Sequence, residues 1–418
     1  MIDLRDSSVT MNPPEIGSVP EPTVLLLCLV GAIVILSIIL RRGLETINLP
    51  AILGYIILGI SIRYFDFHWQ FLDESMNHGL DFLSKAGIVV LLFRVGLESN
   101  VVQLIAQIRR ASFVWTGDVL VSFSAGFLFA SELLGFELVP SLVTAAALSA
   151  TSLGVTAAIW RDAGALDSET GALLTDVAEL DDISGVVLLA LILALIPMLQ
   201  AGGPIGIAQI GSTVITLLSK FILFCGLCFL FARHLERRLI AWFLKLRPRP
   251  AGIVVVTGFC FIISGIAGLL GFSLAVGALF AGLAFSRDPS EHRIDQGFEY
   301  VFLLFSPFFF VGLGLGVDIQ FLGQGAMVGL VLVIAAVAGK LVGAGLPAWL
   351  VTDRKTALLI GLSMIPRAEI AMVVVQQARY LGDWAVPPEL FGGMIIVTLL
   401  TCFVVPLVLQ VLLRQSPN

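Results

Sequence analysis

Residues 179–182 read Glu179-Leu180-Asp181-Asp182 and lie deep inside a long apolar stretch that starts near Thr170. If that stretch is a membrane helix, Asp181 and Asp182 sit about eleven residues in, roughly 16 Å at the α-helical rise. That is close to the middle of a hydrocarbon core about 30 Å thick. A charge at that depth costs roughly 2.5–3.5 kcal/mol on an insertion scale, so carboxylates there call for a use. Neighbouring residues differ by about 100° around a helix, so one carboxylate can face a partner helix while the other faces a cavity. Adjacent carboxylates also repel each other, which favours proton exchange at one of them.

Lys340, in Gly339-Lys340-Leu341-Val342-Gly343, is the matching counter-charge. Its flanking glycines permit close helix approach. Snorkelling to an interface explains many membrane lysines, but Lys340 lies about ten residues from the nearer end of its span, so a buried pairing is the stronger reading. A lysine paired with one aspartate can give up its proton when a cation draws that aspartate away.

Two spans look interrupted. One contains Ser149-Ala150-Thr151-Ser152-Leu153-Gly154-Val155-Thr156, rich in residues with low helix propensity. The other contains Ser363-Met364-Ile365-Pro366-Arg367-Ala368-Glu369, where Pro366 removes a backbone donor. Unwound segments expose carbonyls to cations, and the half-helix dipoles then need compensating charge. Arg367 and Glu369 can supply it; the simpler alternative is a proline kink with a local ion pair.

The chain that positions these residues has 418 residues, 58% of them hydrophobic and 13% charged. Soluble domains carry about 25% charged residues, so a soluble enzyme is excluded. The net charge of −6 gives no basic footprint for nucleic acid. Cys28, Cys225, Cys228, Cys260 and Cys402 all lie in apolar runs, so they read as small apolar filler rather than a disulfide framework. His68, His78, His234 and His292 fall in loops or at helix ends, which argues against an intramembrane zinc enzyme. The first twenty residues carry acids and prolines rather than the basic start of a secretory signal.

Apolar runs mark thirteen candidate spans, near 22–40, 49–63, 79–98, 112–134, 139–160, 170–198, 207–232, 250–270, 271–286, 299–317, 325–350, 356–378 and 388–413. The boundary between the eighth and ninth, from Gly268 to Ser273, is the least marked. With the N-terminus outside, inside loops hold most of the chain's basic residues, among them Arg41, Arg42, Arg109, Arg110, Arg161 and the run from Arg233 to Arg249. Outside loops hold only Arg5, Arg63 and Arg379. The positive-inside rule therefore predicts N-outside, C-inside. Six spans flank the seventh on either side, and the interrupted spans occupy the fifth place in each set. Two inverted six-helix repeats of a secondary transporter would have this plan.

The sequence resembles the monovalent cation:proton antiporters, in the branch of the NapA-type sodium/proton exchangers and Kef-type potassium efflux proteins. The residues that carry the likeness run from Leu49-Pro50-Ala51-Ile52-Leu53-Gly54-Tyr55 through Gly96-Leu97-Glu98 to Pro366-Arg367-Ala368-Glu369. The most specific stretch is Thr151 to Ala158, followed by Gly164-Ala165-Leu166 and Asp181-Asp182. The resemblance implies an all-α polytopic membrane protein of about 13 transmembrane helices with an NhaA/NapA-like fold. It divides the chain into an extracytoplasmic segment (1–21), dimerisation-domain helices (22–110 and 250–324), core-domain helices (111–198 and 325–418), and a linker helix with a basic cytoplasmic loop (199–249).

Carried over residue by residue, it implies that Asp182 binds the cation and the proton. Asp181 would pair with Lys340, Thr151 and Ser152 would lie at the unwound crossing beside the ion, and Arg367 and Glu369 would neutralise the other crossing. A transported sodium or lithium ion would be held by Asp182 and Thr151, with no cofactor. The Asp-Asp pair marks electrogenic exchangers in this family, whereas Kef-type proteins usually carry Gln-Asp and a cytosolic nucleotide-binding domain that this sequence lacks. The expected protein is a homodimer in the bacterial cytoplasmic membrane, in contact with lipid, exchanging monovalent cations for protons by elevator-like alternating access. The alternatives are a potassium/proton antiporter and, more remotely, a non-transporting membrane sensor or scaffold.

Several residues depart from the family pattern. Asp176, Glu179 and Asp182 are spaced by three and trail along one side of their helix; Asp176 and Glu179 either form a cation funnel or, for Asp176, a solvated helix start. Arg94 precedes Gly96-Leu97-Glu98, where it can pair with Glu98. Asp118 and Lys220 have no partner assignable from sequence.

Overall fold

The computed structural model describes residues 22–98, 101–166, 168–200, 207–243, 245, 252–286 and 292–414. The segment 1–21 and, of the basic loop, residues 244 and 246–251 lie outside the described residues. Everything regular in the described residues is helical. In lipid a backbone without water must satisfy itself internally, and a helix does so within one segment.

The helices are α1 (Pro22–Glu45), α2 (Ala51–Trp69), α3 (Glu74–Glu98), α4 (Val101–Leu128), α5 (Leu138–Ser149), α6 (Leu153–Asp162), α7 (Glu169–Gln200), α8 (Ile207–Leu230) and α9 (Glu236–Phe243). They continue with α10 (Gly252–Leu269), α11 (Leu274–Phe285), α12 (His292–Leu315), α13 (Leu322–Lys340), α14 (Leu346–Val351), α15 (Arg354–Ser363), α16 (Glu369–Arg379) and α17 (Pro388–Arg414). π-helical turns at Phe129–Leu133, Phe231–Leu235 and Leu341–Gly345 extend α4, α8 and α13 without a break.

Each of the thirteen expected spans has a helical counterpart. By length and composition, nine of the described helical segments could cross a membrane. Of the other four expected spans, α3 and the first half of α7 carry charge, α11 has only 12 residues, and the twelfth span is split into α15 and α16. The indistinct eighth-to-ninth boundary is a tight turn in which Gly271 takes a φ of +90°, a backbone that favours glycine. Ser273 then caps α11 by accepting a hydrogen bond from Val276 N.

The helices pack in two groups. In one, α1, α2 and α3 pack with α10, α11 and α12; in the other, α4 to α7 pack with α13 to α17. Small residues set the spacing in both. A Cβ on Gly59 would stand 2.1 Å from Val311 O, and one on Gly96 would stand 2.1 Å from Leu279 O, so α2–α12 and α3–α11 touch backbone to backbone. In the second group, a Cβ on Gly343 would stand 3.1 Å from the backbone of Asp118, and one on Gly339 would stand 3.1 Å from Ser122 Cα. Helix α4 therefore lies directly against α13 at the level of Lys340.

Candidate functional site

The fifth and twelfth spans are broken where the sequence loses helix-forming residues. Helix α5 stops at Ser149, α6 resumes at Leu153, and the chain between runs extended. Helix α15 stops at Ser363, and α16 resumes at Glu369 after Pro366. The two unwound stretches cross: Ser152 N donates to Pro366 O at 2.9 Å, and Thr151 Oγ1 donates to Met364 O at 3.1 Å. Trp160 Nε1 bonds Ser363 Oγ at 2.8 Å and fixes the half-helices beside the crossing.

Arg367 is wholly buried, and it does not pair with its near neighbour Glu369. Its Nη1 donates to Ala150 O at 2.6 Å, Met364 O at 3.0 Å and Thr151 Oγ1 at 3.3 Å. Those carbonyls end half-helices, where the dipole is negative and a cation is favourable. Glu369 instead starts α16 at its positive end and accepts a hydrogen bond from Ser152 Oγ. The two charges thus lie at opposite helix ends across the crossing, and they do not pair with each other.

Asp181 and Asp182 face different ways, as neighbouring helix positions must. Asp181 is fully buried, and its Oδ2 accepts from Lys340 Nζ at 3.0 Å. Asp182 lines a cavity of about 780 Å³ together with Thr151, Ser152, Glu179 and Glu369. The same cavity reaches Arg41, Glu45, Arg94 and Glu98 at one end of the bundle and is walled by Tyr55, Phe302 and Phe310 from the first helix group. It therefore lies between the two groups. Glu179 is on its wall, whereas Asp176 is buried away from it, so the three acids spaced by three do not form one lined path.

The mouth carries its own ion pairs. Arg94 bonds Glu98 at 2.6 Å and Glu299 at 2.7 Å, and Arg41 bonds Glu45 at 2.6 Å and Glu299 at 3.3 Å. Glu299 on α12 thus ties together α1 and α3. The expected Arg94–Glu98 contact is present, and the Glu299 link was not legible from local spacing.

Asp118 is one of the two residues that sequence spacing left without a partner. It is fully buried on α4, and its Oδ2 accepts from Lys340 Nζ at 2.6 Å. The signal was the cost of an acid inside the span 112–134, which demands a buried cation; Lys340 is the cation that meets it. Lys220, by contrast, is exposed on α8.

A family model described as "Sodium/hydrogen exchanger, transmembrane" matches residues 31–415. The "Na(+)/H(+)-K(+) antiporter GerN" of Bacillus cereus is 26% identical over 91% of this chain and 94% of its own length. The "High-affinity Na(+)/H(+) antiporter NhaS3" of Synechocystis is 28% identical over 81% of this chain and 72% of its own. The "K(+)/H(+) antiporter subunit KhtU" of Bacillus subtilis is 28% identical over 71% of each. The sodium proton antiporter MjNhaP1 of Methanocaldococcus jannaschii shares the fold, with a TM-score of 0.70, 17% identity, and coverage of 94% of this chain and 99% of that one. These are transporters rather than enzymes. A broken-helix crossing, an aspartate on a cavity and a match across nearly the whole length together lead to one conclusion: the chain belongs to the transmembrane sodium/hydrogen exchanger family.

Proposed function

We infer that the protein exchanges sodium or lithium for protons across the bacterial cytoplasmic membrane, electrogenically, with two protons moving against one cation. The observation that carries this reading is the division of labour between adjacent acids, with Asp182 on the cavity and Asp181 on Lys340. A cation arriving through the cavity meets Asp182 and the oxygens of the crossing at Thr151 and Ser152, and a proton on Asp182 must leave for the carboxylate to bind it. Asp176 and Glu179 are accessory acids at most, Glu179 by virtue of its place on the cavity wall.

The same reading treats α4–α7 with α13–α17 as a core that carries the ion, and α1–α3 with α10–α12 as the dimerisation domain of a homodimer. A cavity lying between those groups suits an elevator movement of one against the other. The basic ends that flank it, at Arg41 and Arg161, suit an inward-facing state with the N-terminus outside and C-terminus inside. Potassium is the second reading, because relatives of comparable sequence identity are named for it, one of them together with sodium.

The test is cation-driven proton movement in proteoliposomes. Sodium and lithium are expected to drive proton movement, with little response to potassium, and Asp182→Asn is expected to fall to background. A potassium response equal to that of sodium gives the second reading. A wild-type chain silent to all three cations overturns both.

A further inference from the structure

Lys340 holds two carboxylates, not one. An ammonium has three donors, and all three are taken: Asp118 Oδ2 at 2.6 Å, Ser149 O at 2.6 Å and Asp181 Oδ2 at 3.0 Å. All three side chains of the triad are fully buried. Asp118 is the nearer carboxylate, and its other oxygen accepts from Ser122 Oγ at 3.3 Å, so it is held from both sides. Asp181 has no such second anchor, since its Oδ1 has no hydrogen-bond partner among the described residues. The geometry around Asp118 is built in, because Gly339 and Gly343 bring α13 against the backbone of α4 at Asp118 and Ser122.

We propose that Asp118 is the standing counter-ion of Lys340, a positioning residue that frees Asp181 to join Asp182 as the second proton-carrying carboxylate. This rests on the exchange reading above and specifies where its two protons ride. The charges that face Asp118 are Lys340 on α13, Asp181 on α7, and Arg367 between α15 and α16. With Asp118 ionised against Lys340, and Glu369 balancing Arg367 across the crossing, Asp181 and Asp182 can both be protonated and the buried cluster is neutral. Cation entry then breaks one O–H bond on Asp181 and one on Asp182; Asp182 gives its proton to the cavity it lines, and Asp181 passes its own there through the vacated Asp182 carboxylate. Both carboxylates turn to the cation, and the three N–H bonds of Lys340 remain intact. The cation-loaded cluster carries one net negative charge more than the proton-loaded one, as two-for-one exchange requires. If Lys340 had Asp181 alone, loss of that aspartate to the cation would leave a buried, unpaired ammonium, and the lysine would have to give up its proton.

The experiment measures net charge per cation, as the shift of the zero-flux cation gradient with imposed membrane voltage, in proteoliposomes of the full chain. In wild type, one net charge shifts that gradient tenfold for about 59 mV. In Asp118→Asn, Asp181 must stay ionised against Lys340, so exchange continues without a voltage shift; Asp118→Glu restores the shift. The double variant Asp118→Asn/Lys340→Gln removes the pair as a neutral unit, and it keeps the wild-type shift at a lower rate. Loss of the shift in the double variant places the second proton on Lys340 and overturns the proposal, as does an unchanged shift in Asp118→Asn. Infrared difference spectra of wild type decide the matter even where the variants do not fold. Sodium addition is expected to remove the bands of two protonated carboxyls, and loss of only one overturns the assignment. A wild type that exchanges no cation defeats the parent reading instead, whereas one that exchanges without a voltage shift defeats this one alone.

Discussion

Two charge clusters in this molecule use the same residue types and differ in where they sit. At the cavity mouth, Arg41, Glu45, Arg94, Glu98 and Glu299 form pairs at 2.6–3.3 Å with side chains about a third to more than half exposed. In the interior, Lys340, Asp118 and Asp181 pair at similar lengths with no exposure at all. Distance is therefore not what separates them. Water screens the mouth pairs, so each is worth little and can be rearranged cheaply. The interior triad has no solvent to fall back on, so removing Lys340 leaves buried carboxylate charge uncompensated. The first arrangement suits an entrance, and the second suits a switch that must be set by bound protons and ions.

The comparison can be broken most sharply at Lys340. Lys340→Met leaves Asp118 and Asp181 facing each other in a dry site, and is expected to cost about 3–5 kcal/mol of stability. A thermal melt in detergent reads this as a large fall in Tm, and adding Asp118→Asn should recover much of it. A smaller effect is expected at Gly343, where a Leu side chain must push α4 away from α13. Overpacking of this kind costs about 1–3 kcal/mol, and it should slow exchange by separating Asp118 from Lys340; Gly343→Ala, with one added carbon, should do less. The smallest effect belongs to the mouth. Glu299→Gln removes the shared partner of Arg41 and Arg94, and is expected to change stability by no more than about 1 kcal/mol. That change should shrink in high salt, as exposed pairs do. A mouth variant as damaging as Lys340→Met would erase the distinction between the two clusters.

Much of this protein is written locally. The thirteen spans follow from the length of apolar runs, and the breaks at Ala150–Ser152 and Met364–Ala368 follow from weak helix formers and from Pro366. The different facing of Asp181 and Asp182 follows from helical angle alone. Local sequence also left open an Arg367–Glu369 pair as the alternative, because the residues are two apart. The fold instead sends Arg367 to Ala150 and Glu369 to Ser152, each 217 positions away, because crossed half-helices present their unsatisfied ends to one another.

Asp118 shows the limit most clearly. Its cost inside a membrane span announces that it needs a cation, and Gly339 and Gly343 announce that something approaches α13 closely. Neither fact names the other, since Asp118 and Lys340 are 222 positions apart. The sequence by itself determined where the thirteen apolar spans lie, where two of them break and which residues are too expensive to bury without purpose. Only the tertiary structure decided which of those residues meet, because partners in a helical bundle are set by packing between helices rather than by spacing along one.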